Sequence, residues 1–243
     1  MHIKADLHIH SIASGHHTSD TVTTLAKRAA ELGLERIGIT DHAPKMAGAA
    51  SVNYFRNLKY ADKQLFGVNV LYGAELNVVG KCGGVDLPED VLCALDYTIA
   101  SIHKEVFRPS TEEVNTSALV NAMKNPYVNI IGHPDDPVFK INPTALTDAA
   151  AQTGTALELN SAGISEYGHR DKNIAFLVEM LYLCKKKGVF VSLGSDSHGT
   201  DRIADFENSI KLLAQLDFPS ELIINCDVGN FRRLVNKKRK GEI

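Results

Sequence analysis

Short apolar runs rich in β-branched residues alternate with longer stretches of helical period along this chain. Such alternation builds parallel sheets, because two parallel strands are joined by a crossover long enough to hold a helix. The expected strands are Ile3–Ile9, Arg36–Thr40, Val68–Leu76, Asp96–Ile102, Val128–Ile131, Ala156–Leu159 and Val189–Leu193, with Leu222–Ile224 as a weaker eighth. The sequence therefore predicts an α/β fold, and seven or eight β-then-α units favour a barrel over an open sheet.

The helical stretches are recognisable by their ends. One should begin at an N-cap, Thr18 or Ser19, and stop at Gly33, and another should run from Asp171 to Gly188 with lysines in its last turn. Further helices are expected near Tyr54–Leu65, Pro88–Leu95, Glu112–Lys124, Pro143–Gln152 and Val228–Lys238. No low-complexity linker or charge block divides the 243 residues, so we expect one domain.

Composition narrows the class of protein. A net charge of -3 gives no general electrostatic reason to bind nucleic acid. No apolar run approaches the roughly 20 residues that a membrane-spanning helix needs. The four cysteines are scattered without C-x-x-C spacing, and the chain opens with the hydrophilic "MHIKAD". These features predict a cytoplasmic protein that binds neither membrane nor nucleic acid, and they leave association into a homo-oligomer open.

Metal-ligand residue types lie at or just after the ends of most expected strands. "DLHIHS" places two histidines one residue apart on the first strand, and "LGSDSH" follows the seventh. The complete set is His8, His10, His16, His42, Glu75, His103, His133, Asp196 and His198. Each of these residues alone could be an ordinary turn, cap or rim residue. Of the histidines, however, only His2, His17 and His169 fall outside the set. The joint placement indicates a metal site.

In a parallel barrel, the carboxyl ends of all strands meet on one face, where active sites lie. His8 and His10 stand at positions i and i+2 of an extended segment, so their side chains would point together towards that face. One ion of the zinc or manganese class takes about four to six ligands, including water. The nine residues therefore divide among two or three ions that share a bridging carboxylate.

Several divalent cations in one pocket lower the pKa of bound water and clamp the oxygens of a phosphoryl group. The expected substrate is therefore a phosphate ester. The sequence contains no G-x-x-x-x-G-K-[ST] loop, no dinucleotide fingerprint and no recognisable serine or cysteine nucleophile with its base.

At these residues the chain resembles the PHP (polymerase and histidinol phosphatase) superfamily, especially its YcdX-type metal-dependent phosphatases. The likeness covers essentially the whole chain and rests on His16 and, in order, "DLHIHS", "ITDHAP", "GAELN", "SIHK", "GHPD", "ALELN" and "LGSDSH". It implies a single PHP domain over residues 1–243, folded as a distorted (β/α)7 TIM-like barrel. It also implies a trinuclear centre, usually of zinc, with manganese or iron as alternatives.

The resemblance further implies how the nine residues divide. His8, His10, Glu75 and Asp196 would hold one ion. Glu75 would bridge to a second ion completed by His103 and His133, and His16, His42 and His198 would hold the third. Within this set, Glu75, Asp196 and His198 are the expected catalytic residues. The implied reaction is hydrolysis of a small phosphomonoester by a metal-bridging hydroxide, with the general acid unassigned.

Residues beside the predicted ligands are candidates for supporting roles. Asp6 and Asp41 are candidates for orienting ligand histidines. Candidate rim cations are Arg56, Lys104 and Arg170. Lys104 and Glu105, and Asp135–Asp136, depart from the pattern of relatives, which leaves the substrate preference open.

Other activities compete with this interpretation. A phosphodiesterase or 3′–5′ exonuclease could use the same centre, although the sequence has no basic, aromatic groove. An amidohydrolase also begins with H-x-H and would use Lys104 as a carboxylated metal ligand. In such an enzyme, however, His16 and His42 would have no role as ligands. A non-catalytic module or a polymerase accessory domain is a further alternative. The open-site ligands argue against the first, and the absence of a polymerase segment argues against the second.

Overall fold

The computed structural model describes residues 1–165 and 173–242. The strands in this part of the chain are β1 (Ala5–Ile9), β2 (Arg36–Ile39), β3 (Gln64–Leu65), β4 (Val68–Tyr72), β5 (Glu75–Val79), β6 (Gly84–Val85), β7 (Ile99–Ser101), β8 (Ile130–Ile131), β9 (Ala156–Asn160) and β10 (Val191–Gly194). The helices are α1 (Val22–Glu31), α2 (Val52–Asn57), α3 (Glu89–Leu92), α4 (Glu112–Ala122), α5 (Pro143–Thr153), α6 (Ile174–Lys187), α7 (Glu207–Gln215) and α8 (Val228–Lys240).

The strands form two sheets. One has four strands in the order β1-β2-β4-β3, and the other has six in the order β10-β9-β8-β7-β5-β6. All pairings are parallel except those of the two-residue strands β3 and β6, which add short antiparallel hairpins. The predicted α/β fold with parallel strands is therefore confirmed.

The strand ladders do not close into a continuous barrel, so the predicted TIM-like barrel is not confirmed. The sheets instead approach each other at two seams. At the β1–β10 seam, the amide of Asp196 donates to the carbonyl of His8 at 2.9 Å. At the β2–β5 seam, the amide of Glu75 donates to the carbonyl of Asp41 at 3.1 Å. Both seams lie beside predicted metal ligands, so the folding together of the two sheets is what assembles the site.

Two strand predictions were wrong in detail. The single strand expected over Val68–Leu76 is two strands, β4 and β5, which belong to different sheets. The chain changes sheet at Gly73, where an added Cβ would lie 2.7 Å from the carbonyl oxygen of Tyr97. The weak eighth strand, Leu222–Ile224, is not a strand, since a 3-10 turn covers Ser220–Leu222 and only a single bridge joins Ile223 to Val191.

The helix predictions also need correction. Helix α1 is capped by Thr21, whose hydroxyl accepts from the amide of Thr24 at 3.3 Å, and not by Thr18 or Ser19. The helix expected over Tyr54–Leu65 stops at Asn57, and α7 was not predicted. Residue 171, the expected start of α6, lies outside the described residues, but α6 ends at Gly188 in the left-handed conformation, as expected.

Helix α8 covers the end of the sheets where the strands begin. Phe231 and Val235 on α8 belong to an apolar cluster with Leu7 and Tyr97, and the Tyr97 and Phe231 rings pack edge-to-face at 5.3 Å. The Tyr97 hydroxyl donates to the carbonyl of Leu7. This cluster closes the end of the molecule opposite the predicted ligands.

The same helix buries a lysine. The Lys238 ammonium donates to the carbonyl of Val128 at 2.5 Å and to the hydroxyl of Thr155, and the residue is 7% exposed. No carboxylate within the described residues forms an ion pair with it. Burial therefore lowers the pKa of Lys238 to about 7.

Replacing Lys238 by Met should stabilise the protein in a pH-dependent way. Unfolded Lys238 binds a proton up to about pH 10.4, but the folded state releases it near pH 7. The unfolded state therefore holds the extra proton between these values, and wild-type stability should rise with pH across that window. The gain in melting temperature for Lys238→Met should be largest at pH 7 and below and should shrink towards pH 10.

The neighbouring exposed residue gives the matched control, Lys237→Met. This variant should follow the wild-type melting curve at every pH. A gain for Lys238→Met that stayed constant from pH 6 to pH 10 would contradict the account.

Candidate metal centre

A cavity of about 850 Å³ opens where the strands end. Its walls include seven of the nine predicted ligands: His16, His42, Glu75, His103, His133, Asp196 and His198. The other two are fully buried: His8 lies on β1, and His10 follows the end of that strand. The structure thus brings together residues that lie as much as 190 positions apart, from His8 to His198.

Glu75 lies at the centre of this cluster and is fully buried. Its Oε1 lies 3.2 Å from His103 Nε2 and 3.0 Å from His133 Nε2. The Ser101 hydroxyl on β7 donates to the same oxygen at 2.7 Å. One carboxylate oxygen thus faces the side chains that follow β7 and β8.

The second oxygen of Glu75 faces the other sheet. Glu75 Oε2 lies 3.5 Å from the Nε2 atoms of His8 and His10 and 2.7 Å from His42 Nδ1. The two oxygens therefore divide their neighbours between the sheets, which is the arrangement that a bridging carboxylate requires.

Asp196, His198 and His16 complete the cluster. Asp196 Oδ1 lies 3.1 Å from His10 Nε2 and 3.6 Å from His8 Nε2. The His198 ring stacks on His10 at 4.1 Å, and its Nδ1 lies 3.1 Å from the Asp196 carbonyl oxygen. The half-buried His16 ring stacks on His42 at 4.8 Å and lies 5.1 Å from His198.

Glu158 orients His8. Its Oε1 lies 2.7 Å from His8 Nδ1, and its Oε2 accepts from the amide of His133 at 2.8 Å and from Asn160 Nδ2 at 2.9 Å. A carboxylate on Nδ1 fixes the tautomer that presents Nε2 to a metal. The motif "ALELN" includes this residue, but its role was not predicted. An acid in the middle of a fully buried apolar strand was the available signal.

His10 is oriented through a hydroxyl. Its Nδ1 lies 2.8 Å from Ser14 Oγ, which donates to Asp41 Oδ1 at 2.8 Å. Asp41 also accepts from the Ser11 amide at 2.6 Å and from the Tyr54 hydroxyl at 2.6 Å. Asp41 thus acts on His10 through Ser14, which is an indirect form of the predicted orienting role.

Asp6 does not orient a ligand histidine, which was its predicted role. It accepts hydrogen bonds from the amides of His8, Ser195 and Ala204 and does not touch an imidazole ring. It therefore holds the backbone of the β1–β10 seam. Burial raises the pKa of Asp6 to about 6.

Close packing around Glu158 explains a glycine in "LGSDSH". A Cβ added to Gly194 would lie 2.0 Å from Glu158 Oε1 and 2.8 Å from His8 Cβ. The next acidic residue, Asp196, has a φ of 55°, in the left-handed region. The chain is therefore shaped at this turn to bring Asp196 towards the histidines.

Burial and neighbouring charge act in opposite directions on the two carboxylates beside His8. Burial alone would raise the pKa of Glu75, but His103, His42 and His8 hold it well below its usual value. Burial likewise opposes the charge on Glu158, yet the adjacent His8 lowers its pKa. Both acids therefore remain anionic at neutral pH.

The pKa values of His8 and His10 shift in opposite directions. Burial alone would lower the pKa of His8, but the carboxylates, Glu158 first, raise it well above its usual value. Burial together with the charges of His198 and His42 holds the pKa of His10 well below its usual value. His10 is therefore neutral and able to act as a ligand, whereas His8 would exchange a proton for a metal ion.

The donor set fits divalent metal ions. Three groups of side chains place their ligand atoms within 4.8 Å of one another: His8, His10 and Glu75; His42, Glu75 and His103; and His10, His42 and His198. Several of these atoms are buried and make no hydrogen bond within the described residues, namely His8 Nε2, His10 Nε2, Glu75 Oε2 and His198 Nε2. Buried polar atoms that make no hydrogen bond are costly unless something binds them.

The predicted rim cations differ in position. Lys104 is exposed and lines the cavity. Arg56 is not among the lining residues and instead pairs with Asp90 at 2.8 Å. Arg170 lies outside the described residues. Arg202, which was not predicted, lines the cavity and lies 3.3 Å from Asp205.

No helix in the described part of the chain has the length and apolar character needed to cross a bilayer.

Comparison with known proteins agrees with the geometry. The family model described as the PHP domain matches residues 6–165. A probable phosphatase of Clostridium novyi is 41% identical over 238 residues, which are 98% of this chain and 96% of the relative.

Solved structures share the fold at low sequence identity. A histidinol phosphate phosphatase from Lactococcus lactis, solved with zinc, L-histidinol and phosphate, is 20% identical with a TM-score of 0.63, covering 89% of this chain and 94% of that one. A structure from work on metal-dependent tyrosine phosphatases of Bacillus subtilis and Streptococcus pneumoniae is 18% identical with a TM-score of 0.56, covering 97% and 95%. The predicted family and the predicted class of enzyme, a phosphatase, are confirmed, and the chain belongs to the PHP domain family.

Proposed function

We propose that this protein is a metal-dependent phosphatase of small phosphomonoesters with three ions, expected to be zinc, in its cavity. The observation that carries the proposal is the buried Glu75 carboxylate, whose two oxygens face five imidazoles from two sheets. The relatives named probable phosphatases support the reaction class.

The proposed allotment of ligands is the one that the family resemblance implies. Glu75 would bridge a first ion, held with His8, His10 and Asp196, and a second ion held with His103 and His133. The 3.1 Å separation of Asp196 Oδ1 and His10 Nε2 supports the first group.

The third ion would be held by His16, His42 and His198. The His16 ring stacks on His42 at 4.8 Å and lies 5.1 Å from His198, which supports this group.

When bound, such ions supply an activated water and neutralise charge on the phosphoryl oxygens. The protein's own residues prepare the site for them. Glu158 and the Ser14–Asp41 pair fix the rings of His8 and His10, so that ligand atoms need not reorganise. Glu75, Asp196 and His198 are the proposed catalytic residues, since all three line the cavity.

The cavity rim favours a monoester over a nucleic-acid diester. Among the described residues, the acids that line the opening, Glu105, Asp136, Asp201 and Asp205, outnumber the two lining cations, Lys104 and Arg202, and would repel the further phosphates of a polynucleotide. Lys104 is exposed on the rim, whereas the neighbouring His103 lies 3.2 Å from the Glu75 carboxylate, which disfavours the amidohydrolase alternative.

We further propose that residues 1–243 form one domain that acts in the cytoplasm on a free phosphorylated substrate. A continuous apolar core joins residues of both sheets, including Ile39 and Leu193, which supports one domain. Cys82, Cys93, Cys184 and Cys226 are all free, which supports a reducing compartment.

Zinc- or manganese-loaded protein should release inorganic phosphate from a panel of small phosphomonoesters, p-nitrophenyl phosphate included. Glu75→Ala should abolish release, because it removes the shared carboxylate of two ligand groups. The exposed Glu113→Gln on α4 should behave as wild type. Metal-loaded wild type that leaves every monoester intact but cleaves bis(p-nitrophenyl) phosphate would replace the proposal by a phosphodiesterase.

Glu158→Gln should weaken metal binding by about 10- to 100-fold, because a neutral amide orients His8 less firmly and raises its basicity less. The measurement is the dissociation constant of zinc by competition with a chromophoric chelator. Metal affinity equal to that of Glu113→Gln would show that Glu158 is not needed for the site.

A further inference from the structure

The metal-site cavity is lined in part by residues with a left-handed backbone. Six non-glycine residues of the described chain have a positive φ, and three of them line this cavity: His17 at 57°, His133 at 27° and Asp196 at 55°. Such conformations cost energy and persist mainly where the surrounding structure fixes them for a function. His133 and Asp196 belong to the proposed ligand set, whereas His17 has no assigned role.

The loop that carries His17 is fixed by close backbone packing. Gly15 has a φ of 81°, and a Cβ added there would lie 1.9 Å from the carbonyl oxygen of Gly48. The amide of Ala50 donates to the carbonyl of Ala13 at 2.9 Å. The contact between these two loops holds His16 and His17 at the opening of the cavity.

The His17 imidazole faces the rings of two proposed ligands edge-on. Its centroid lies 5.0 Å from that of His16, with the planes at 88°, and 6.2 Å from that of His198, with the planes at 77°. His16 and His198 are proposed ligands of the same ion. A substrate oxygen directed to that ion would therefore come close to His17.

The ring nitrogens of His17 are available to such an oxygen. The side chain is exposed and has ring contacts but neither a hydrogen bond nor an ion pair within the described residues. By contrast, Arg202 on the same cavity lies 3.3 Å from Asp205 and 3.6 Å from Asp201, which partly neutralise it. Of these two groups, His17 is the less engaged donor.

We propose that His17 contacts the substrate, donating an imidazole N–H to a phosphoryl oxygen of the bound phosphomonoester. The proposal rests on the proposed function and assigns His17 to substrate binding, not to metal ligation. It also explains the positive φ, since the strained backbone directs the imidazole to the cavity.

The variant His17→Asn separates binding from folding. Asparagine tolerates the left-handed region better than most residues but is too short to replace the imidazole. We expect an unchanged or raised melting temperature, unchanged zinc content, and roughly tenfold or greater weakening of inorganic phosphate binding to the zinc-loaded protein, measured by calorimetry. KM for p-nitrophenyl phosphate should rise in parallel, and His17→Gln, which keeps an N–H donor on a longer side chain, should recover part of both losses.

The exposed His2→Asn is the control and should match wild type in every measurement. Phosphate affinity unchanged in His17→Asn would overturn the proposal, and so would a loss of zinc that accounts for the weaker binding. Wild type that binds phosphate but hydrolyses no monoester would refute the proposed function alone, because the effect of His17→Asn on phosphate binding would still support the contact.

Discussion

The burial of the Glu75 carboxylate is the constraint on which the site depends. A fully buried anion is costly unless opposite charge and hydrogen bonds compensate it, and here five imidazoles surround it. Those imidazoles come from both sheets, whose ladders do not close on each other. Glu75 therefore joins the two sheets electrostatically at the end where the strands stop, beside the backbone hydrogen bonds of the seams.

Three of the proposed ligand histidines differ in the group that contacts their Nδ1 atom. His8 faces a carboxylate, His10 faces a serine hydroxyl that donates to Asp41, and His103 Nδ1 lies 2.8 Å from the amide oxygen of Asn77. A directly paired imidazole is the more basic one, which agrees with the raised pKa of His8 and the lowered pKa of His10. The ligand group proposed for the first ion thus contains two imidazoles of unequal basicity, His8 and His10.

The sequence predicted which side chains lie close together more completely than it predicted the fold. Alternating periodicity identified most strands, and ligand residue types at strand ends identified a cluster that the structure brings together. Barrel closure could not be predicted, because it depends on pairing across seams that no local pattern encodes. The same limit explains the wrong strand Val68–Leu76, where the close approach of Gly73 to Tyr97 redirects the chain. Glu158 was missed because its partner, His8, is 150 residues away.

The most direct test of the central claim is anomalous diffraction at the zinc absorption edge from crystals of zinc-loaded protein. The account predicts strong anomalous peaks at the Glu75 cluster, with Glu75 contacting two ions and His16, His42 and His198 contacting another. Peaks confined to surface histidines, with Glu75 contacting imidazoles alone, would contradict it.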